Sequence, residues 1–311
     1  MATGNICITG ATGFIGSNLV KAMQVHGGYA ITAIARSIDA CEKIKSLNVE
    51  CYLDDGDTEQ LIKYFQQRKF DTIIHLASLY LKDHQSHQIE NLISSNVLFG
   101  IRLLEASVKS SVKSFINTGT FWQHFDNKIY SPVNLYAASK QAFEMIARYY
   151  QESSGIFFTT LYLNDTYGPG DTRKKILNLW KAMKDTDRMD MSPGEQKVNL
   201  LHIRDVVRGY LRLIHLVQSG NLPNDAAVSY VLKSKEELTL RQLAVLFEQI
   251  AQKKLNINWG GLPYKDREIM MIWDGGTTVE GWEPIMTLEE GIAELVLQDQ
   301  VQPKTNHKES R

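Results

Sequence analysis

The stretch Cys7-Ile8-Thr9-Gly10-Ala11-Thr12-Gly13-Phe14-Ile15-Gly16 lies almost at the start of the chain and decides the fold. A short β-type segment leads into three glycines, and a helical pattern follows them. Glycine lets the backbone turn sharply and approach a diphosphate closely, because it has no Cβ. Free N–H groups at the start of the helix also favour phosphate. The spacing is GxxGxxG, which differs from the common GxGxxG, so the stretch predicts a phosphate-binding turn only together with other signals. The residues predicted to surround the ligand are Gly10, Thr12, Gly13, Phe14 and Ile15.

The first half of the chain alternates apolar β-type segments with helical patterns, which predicts an α/β fold with a doubly wound parallel sheet. The predicted strands are Asn5–Thr9, Ala30–Ala35, Val49–Leu53, Thr72–Leu76, Ser114–Asn117 and Phe157–Leu163. The predicted helices are Ile15–His26, Thr58–Arg68, Glu90–Val108 and Leu135–Ser153. Short apolar strands of this kind are typical of a sheet that is buried on both faces.

The pattern becomes less regular after Tyr167-Gly168-Pro169-Gly170. Helices are predicted over Arg173–Met183, Ile203–Val217 and Leu240–Gln252, and the segment 267–282 has no regular pattern. We therefore expect a nucleotide-binding domain over residues 1–165. A smaller C-terminal substrate lobe over 166–297 is expected to send some segments back to the sheet. The polar tail over 298–311 is expected to be disordered.

Composition excludes several classes of protein. The 311 residues carry a net charge of −1, which predicts neither a nucleic-acid partner nor binding to an anionic membrane. The three cysteines, Cys7, Cys41 and Cys51, lack paired spacing, so we expect neither a disulfide framework nor a metal site. The first strand leaves no room for a signal peptide, and no apolar run approaches the ~18 residues of a membrane span. A soluble, cytoplasmic protein is expected.

The end of the second predicted strand bears on the choice of dinucleotide. An acidic residue at this point binds the ribose 2′-OH of NAD, whereas an arginine accommodates the 2′-phosphate of NADP. Arg36 and Ser37 stand here and favour NADP, although Arg36 could also be an ordinary surface arginine. Asp54 and Asp55 follow the third strand, where they could contact the adenine edge or form an Asx turn.

Tyr136 and Lys140 stand four residues apart at the start of a predicted helix and therefore share one of its faces. A nearby ammonium favours the phenolate and lowers the pKa of a tyrosine toward neutrality. Thr120 ends the preceding strand segment, where its hydroxyl could orient a substrate oxygen or simply belong to a turn. The three residues form a candidate acid/base site.

Six ordered blocks together resemble the extended short-chain dehydrogenase/reductase superfamily, in its nucleotide-sugar epimerase/dehydratase/reductase branch. The resemblance covers about residues 5–297. The blocks are Thr9–Gly16, Ile74–Ser78, Asn96-Val97 with Leu103–Ala106, Tyr136–Lys140, Tyr167–Asp171 and Leu201–Val206.

The resemblance implies a Rossmann-type fold, a nicotinamide cofactor and a nucleotide sugar as the substrate. It makes Tyr136 the acid/base and Lys140 its partner, with Lys140 also on the nicotinamide ribose, and Thr120 the catalytic hydroxyl. Superfamily members often pair through two helices per subunit, which implies a homodimer through Glu90–Val108 and Leu135–Ser153. The further cofactor contacts that the resemblance implies are Leu76, Ala77, Ser78 and Asn96.

Departures from the family pattern narrow the reaction. Sugar 4,6-dehydratases carry an Asp-Glu pair after the catalytic threonine, but Phe121 and Trp122 stand here and neither exchanges protons. Tyr162 stands where the family usually has arginine, Asp165 where it has asparagine, and Val198 where it has another arginine. Cations at 173–175 could bind the diphosphate instead or form a solvated helix face. The predicted substrate contacts are Phe121, Trp122, Asn164, Asp165, Arg173, Lys174 and Arg267, and Trp273 is a further candidate.

The narrowest resemblance is to the reductases that make 3,6-dideoxyhexoses, the CDP-paratose and CDP-abequose synthases. It rests on Ile116–Thr120, Lys140-Gln141 and the missing acids. The leading hypothesis is therefore an NADPH-dependent 4-keto reductase of a nucleotide-activated deoxysugar in bacterial surface-polysaccharide (O-antigen) synthesis. An epimerase that holds NAD tightly is the alternative. A non-catalytic sensor or scaffold that binds NADP is the third hypothesis, which the intact Thr120, Tyr136 and Lys140 disfavour.

Overall fold

A computed structural model describes residues 4–220 and 229–301 of the chain, with side chains described through residue 297. The strands are β1 Gly4–Thr9, β2 Tyr29–Ala35, β3 Glu50–Leu53, β4 Thr72–His75, β5 Ser114–Thr120, β6 Phe157–Leu163, β7 Asp165–Tyr167, β8 Met189–Met191, β9 Lys197–Val198, β10 Leu200–His202, β11 Tyr230–Leu232, β12 Leu238–Thr239, β13 Ile257–Trp259 and β14 Thr277–Thr278. The helices are α1 Phe14–His26, α2 Ile38–Lys45, α3 Thr58–Arg68, α4 Ile89–Ile93, α5 Phe99–Lys109, α6 Leu135–Ser154, α7 Ile176–Ala182, α8 Ile203–Ser219, α9 Leu240–Ala251 and α10 Leu288–Val301.

Eight strands form a central parallel sheet in the order β14-β11-β6-β5-β4-β1-β2-β3. The chain adds β2 and β3 on one side of β1 and then crosses to β4 on the other side. Ligands of open α/β sheets bind in the crevice at such a reversal, outside the carboxyl ends of the strands. The predicted doubly wound α/β fold is confirmed.

Helices cover both faces of the sheet, so its central strands are buried. On one face α1 and α8 pack against the sheet through residues such as Leu19, Met23 and Leu213. On the other face α3, α5 and α6 contribute Phe65, Leu103 and Phe143. This two-sided burial explains why the strands are continuous apolar runs rather than alternating patterns.

The C-terminal elements form a separate core beside the carboxyl ends of the strands. Trp180 of α7 packs with Phe247 of α9 and Ile292 of α10, and all three side chains are fully buried. Two short strands from this half of the chain, β11 and β14, nevertheless pair in parallel with the central sheet next to β6. The segment without a predicted pattern, 267–282, therefore contains the edge strand β14.

The predicted helix Glu90–Val108 is interrupted in the structure. It consists of α4 and α5 joined by a π-helical turn over Ser94–Leu98. The predicted helix Arg173–Met183 is also shorter and begins only at Ile176. Arg173 does not join it, because its guanidinium and backbone N–H bind the carboxylate of Asp171 in the preceding turn.

Two helices escaped prediction. Helix α2 has only Cys41 and Ile44 buried among its eight residues, so its apolar pattern is too sparse to recognise. Helix α10 was not predicted, and its last residues, up to Val301, lie in the segment 298–311 for which disorder was expected. Residues 302–311 lie outside the described part of the chain.

The expectation that the cysteines form no disulfide is also wrong. Cys41 of α2 and Cys51 of β3 are joined by a disulfide, with their Cα atoms 5.7 Å apart, whereas Cys7 is free and buried. The ten-residue separation follows no recognisable motif. Helix α2 packs against β2 and β3, and that packing brings the two side chains together.

Within the described ranges 4–220 and 229–301, no helix combines the length and apolarity needed to cross a bilayer. The same residues contain no group of three or more His, Cys, Asp or Glu side chains that could hold a metal ion.

Candidate active site

The glycine turn joins β1 to α1 at the reversal point of the sheet. Gly10 has a φ of +75°, and a Cβ there would lie 2.7 Å from the backbone nitrogen of Ala77. A Cβ on Gly16 would overlap the carbonyl oxygen of Gly10. Gly13 caps α1 without a side-chain hydrogen bond, so the first-turn N–H groups, including those of Phe14 and Ile15, are free to bind an anion. Thr12 is exposed in the same turn. This cradle fits a dinucleotide diphosphate.

Two predicted cofactor residues follow β2. The guanidinium of Arg36 donates to the Ser95 hydroxyl at 3.0 Å and lies 5.2 Å from the ring centre of Phe99. The Ser37 hydroxyl caps α2 by accepting from the N–H of Ala40. Arg36 is therefore anchored to the π-helical turn over Ser94–Leu98 and to the first residue of α5.

The two aspartates after β3 have other partners. Asp54 is buried in a bidentate ion pair with Arg102, with N–O distances of 2.8 and 3.0 Å. The Asp55 carboxylate accepts from the N–H of Asp57, which is the Asx turn that the sequence left open. Sequence reasoning did not consider Arg102, which holds the Asp54 carboxylate.

Asn96 lies in the π-helical turn and is buried. Its amide oxygen accepts from the Ser78 hydroxyl and from the N–H of Leu79. Its amide nitrogen donates to the Leu79 carbonyl and to the Ser139 hydroxyl. The amide of Asn96 is saturated by these protein partners and joins the loop after β4 to helix α6. Its cofactor contact stays a prediction.

Thr120, Tyr136 and Lys140 line one cavity of about 470 Å³. Strand β5 supplies Thr120 at its last position, and the first two turns of α6 supply the other two. Asn134 sets the start of α6 by accepting from the N–H of Ala137. The other predicted site residues on the walls of this cavity are Ile15, Leu76, Ser78, Phe121, Trp122, Asn164, Asp165, Arg173 and Lys174.

The electrostatics of the trio suit proton donation. Burial raises the pKa of Tyr136, and a hydrogen bond with Ser78 and the charges of Lys175 and Arg173 oppose that rise. The pKa of Tyr136 is thus not lowered as its spacing from Lys140 predicted, because desolvation outweighs these effects. Burial lowers the pKa of Lys140 to about 8, although the charge of Glu144 raises it. The phenol is therefore protonated at neutral pH.

Cations from the C-terminal half close the cavity. Arg173 binds both carboxylate oxygens of Asp171 and lies 4.5 Å from the ring centre of Phe14, so it spans the C-terminal half and the glycine turn. Lys175 pairs with Asp165 at 2.8 Å. Lys174 lines the cavity and has no ion-pair partner among residues 4–220 and 229–297, which leaves its ammonium for an anionic ligand.

Comparisons with known proteins agree with this geometry. Residues 6–228 match the NAD dependent epimerase/dehydratase family. The chain belongs to this family. It is 28% identical over 94% of its length to a CDP-abequose synthase of Salmonella muenchen, covering 96% of that protein. It is 25% identical to a dTDP-4-dehydro-6-deoxy-D-allose reductase of Streptomyces bikiniensis, covering 78% of this chain and 81% of that protein.

Among solved structures, the UDP-glucuronic acid 4-epimerase of Bacillus cereus has the same fold. Its TM-score is 0.80 at 19% identity, with 95% of this chain and 99% of that chain covered. The resemblance stated from the sequence is confirmed, as is the assignment of the chain to the nicotinamide-dependent enzymes of the epimerase/dehydratase family.

Two predicted substrate residues, Arg267 and Trp273, lie outside the main cavity. The Arg267 guanidinium donates to the Pro132 carbonyl and the Ser131 hydroxyl and packs on Phe125, outside the cavity. Trp273 stacks on His124 with ring centres 3.8 Å apart and lines a second cavity of about 690 Å³, whose wall includes Glu144 and Met145 of α6. Both side chains therefore contact the segment 121–133, and their role as substrate contacts stays a prediction.

The side chains of the main cavity that sequence reasoning missed include Tyr80 and Lys82. Tyr80 packs edge-on against Tyr136, with ring centres 5.1 Å apart, and lies 5.7 Å from the ring centre of Trp122. Lys82 follows it on the same wall. Both belong to the loop after β4, and only their place after a strand end could have indicated them.

Proposed function

We propose that the chain is an NADPH-dependent reductase of the 4-keto group of a nucleoside-diphosphate-activated deoxyhexose. The observation that carries this proposal is the single cavity that contains Thr120, Tyr136 and Lys140 next to the glycine turn, with Phe121 and Trp122 on its wall. The proposal assigns the first half of the chain to the cofactor and the second half mainly to the sugar nucleotide.

The cofactor would lie across the carboxyl ends of β1 and β4. The helix α1 N–H groups would hold its diphosphate, and the buried Lys140 would bind the nicotinamide ribose. When bound, the nicotinamide supplies the hydride for the carbonyl carbon. The position of Arg36 at the end of β2 supports NADPH over NADH, because a guanidinium binds a 2′-phosphate through charge-assisted hydrogen bonds.

The chain's own residues would handle the proton. Tyr136 is a neutral phenol at physiological pH and can donate its proton to the carbonyl oxygen as negative charge develops there. The Thr120 hydroxyl, on the last residue of β5, would orient that oxygen by a hydrogen bond. A positively charged Lys140 stabilises the phenolate that remains after the transfer.

The cavity wall supports a deoxysugar rather than a fully hydroxylated one. Phe121, Trp122 and Tyr80 present rings to the cavity, together with Leu163. Methyl and methylene carbons gain from such surroundings, whereas an unpaired hydroxyl loses its water contacts. The same aromatic pair supplies no acid and no base for dehydration between C5 and C6.

The relatives support the same chemistry. A CDP-abequose synthase and a 4-dehydro-6-deoxyallose reductase are named for products or substrates of 4-keto sugar reduction, and both match most of this chain. By analogy with the first, the product would serve bacterial surface-polysaccharide synthesis.

We also propose a homodimer. Ile89 and Ile93 of α4 and Met145 and Tyr149 of α6 are large apolar side chains that are 39–66% exposed. Exposed apolar side chains concentrated on neighbouring helices are typical of a protein interface. In this proposal, the same surface of a second copy of the chain covers these side chains.

Oxidation of NADPH across a panel of 4-keto-6-deoxy nucleotide sugars tests the proposal. The panel should vary the base (CDP, dTDP, UDP and GDP) and the presence of the 3-hydroxyl. We expect oxidation with at least one 4-keto sugar and none with its 4-hydroxy counterpart. Interconversion of 4-hydroxy sugars without added NADPH would instead identify the protein as an epimerase.

A further inference from the structure

Glu144 stands one helical turn after Lys140 on α6, so both side chains lie on the same face of the helix. Its carboxylate accepts two hydrogen bonds from other elements. Oε1 accepts from the Gln123 amide at 2.9 Å, and Oε2 accepts from the Tyr162 hydroxyl of β6 at 2.5 Å. Glu144 is half-buried and also lines the second cavity. Burial raises the pKa of its carboxyl, and the hydrogen bonds from Tyr162 and Gln123 and the charge of Lys140 oppose that rise and favour the charged form. No step of the proposed reaction has yet used it.

Gln123 connects Glu144 to the turn that carries Thr120. The Gln123 side chain is fully buried, and its Oε1 accepts from the N–H of Thr120 at 3.0 Å. The Thr120 hydroxyl in turn accepts from the N–H of Trp122 at 3.4 Å. The hydrogen bonds thus lead from the Glu144 carboxylate through the Gln123 amide to the backbone N–H of Thr120, the residue that carries the candidate catalytic hydroxyl.

Glu144 also acts on Lys140 through its charge. The surroundings of Lys140 contain His75 of β4 and Tyr136 and Glu144 of α6, and Tyr162 of β6 lies behind Glu144. The pKa of His75 is held well below its usual range by burial and by the charge of Lys140, so this imidazole is neutral. Burial and the Glu144 charge raise the pKa of Tyr162, so this phenol is neutral as well. Glu144 is therefore the negative charge that acts on Lys140.

We propose that Glu144 is a positioning residue that couples the two sides of the active site. It keeps Lys140 in its ammonium form through its charge, and it fixes Thr120 through Gln123. The effect on Lys140 holds whatever the reaction is, whereas the effect on turnover rests on the proposed reductase function.

The test compares three variants with the unaltered enzyme. Glu144→Gln keeps the volume and removes the charge. Gln123→Leu removes the link to Thr120 and leaves the charge. Glu152→Gln makes the same charge change on an exposed position of α6 two turns away. The ionisation of Lys140 is measured without any substrate, by competitive labelling with acetic anhydride at a series of pH values and mass spectrometry of the peptide.

We expect Glu144→Gln to lower the labelling midpoint of Lys140 by about one pH unit, the lower end of the effect of a close opposite charge. Removing the anion favours the neutral amine, so the alkaline limb of the kcat/KM profile should move to lower pH in parallel. Gln123→Leu should leave the midpoint in place and lower kcat about tenfold with a small change in KM. Glu152→Gln should change neither quantity.

An unchanged labelling midpoint of Lys140 in Glu144→Gln would refute the effect of the Glu144 charge on Lys140. An unchanged kcat in Gln123→Leu would refute the positioning of Thr120 through Gln123. Glu144→Asp provides the second variant if the glutamine variant does not fold. It keeps the charge on a shorter side chain, so it should keep the midpoint while kcat falls, and a midpoint that drops would contradict the proposal. A shifted midpoint in a protein that reduces no 4-keto sugar would refute the proposed function and leave the role of Glu144 standing.

Discussion

Tyr136 is the residue on which the proposed chemistry depends. Partial burial raises the pKa of its phenol, so the protonated form needed for donation predominates at neutral pH. Tyr136→Phe removes the hydroxyl and keeps the ring that packs on Tyr80. NADPH binding should persist, while kcat falls by roughly 10²–10⁴, the range for a positioned general acid. Stopped-flow reduction and titration of NADPH fluorescence measure the two quantities.

Tyr149→Phe is the matched control, because Tyr149 belongs to the same helix and is 66% exposed. It should retain full activity. A Tyr136→Phe enzyme that works within a few-fold of the parent would show that another group protonates the product.

Arg36 determines the second prediction at this scale. Hydrogen bonds to charged groups are each worth about 1.5–3 kcal/mol, so Arg36→Asp should weaken NADPH binding by roughly 10–100-fold and leave NADH binding much less affected. Isothermal titration with both cofactors measures the difference. Lys43→Asp makes the same charge change on the exposed face of nearby α2 and should leave the preference intact. Tighter binding of NADH than NADPH by the unaltered protein would refute the assignment.

Elements were predictable where local pattern alone decides them. Helix α3 and strand β6 have the predicted bounds, because an Asp57 cap marks the start of α3 and a run of aromatic, β-branched and leucine side chains marks β6. Helix α2 was missed because only two of its residues are buried, and the π-helical turn was missed because its backbone is fixed by tertiary contacts of Asn96.

The residues of the candidate site could likewise be predicted only where a pattern within one segment indicates them. The glycine turn and the Tyr136–Lys140 pair depend on spacing within one segment, so they could be recognised from the sequence. The hydrogen bonds from Glu144 to Gln123 and Tyr162 join three segments, and no local pattern indicates them. The partners of Arg267 could not be predicted for the same reason, since they lie 135 and 136 residues away in the chain.

The disulfide between α2 and β3 yields a prediction at the element scale. It closes a loop with a sequence separation of 10, for which the chain-entropy relation gives a stabilisation of about 2–3 kcal/mol. Reduction should therefore lower the Tm by several degrees, since 1 kcal/mol corresponds to roughly 2–4 °C in a domain of about 150–250 residues. Calorimetry with and without a phosphine reductant measures this effect.

Cys51→Ser should reproduce the lower Tm without reductant and respond no further when reductant is added. Cys7 is buried and free, so it offers no alternative partner without unfolding. An unaltered protein with the same Tm in both conditions would show that the bond contributes nothing to stability.

At the scale of the whole molecule, the main cavity lies where the C-terminal half meets the sheet, and both halves contribute to it. The sheet provides Thr120 and the glycine turn, and the C-terminal half provides Arg173 and Lys174. Cofactor and sugar nucleotide would therefore meet only in the assembled fold. The arrangement is shared by reductases, dehydratases and epimerases of the family, so the distinction between them rests on the residues of the cavity wall.

The last prediction separates these three reactions by their products. Dehydration across C5 and C6 needs an acid for the leaving hydroxyl and a base for the C5 proton, and Phe121 and Trp122 supply neither. An epimerase reoxidises what it reduces and leaves the free cofactor unchanged. We therefore expect one NADPH to be consumed per 4-keto sugar and a single 4-hydroxy product to form. This product is heavier than its substrate by roughly 2 Da, because a hydride and a proton are added. Nucleotide sugars that carry a 6-hydroxyl should remain unchanged. Mass spectrometry and NMR of the products decide, because a loss of water would establish a dehydratase and two epimers formed without NADPH would establish an epimerase.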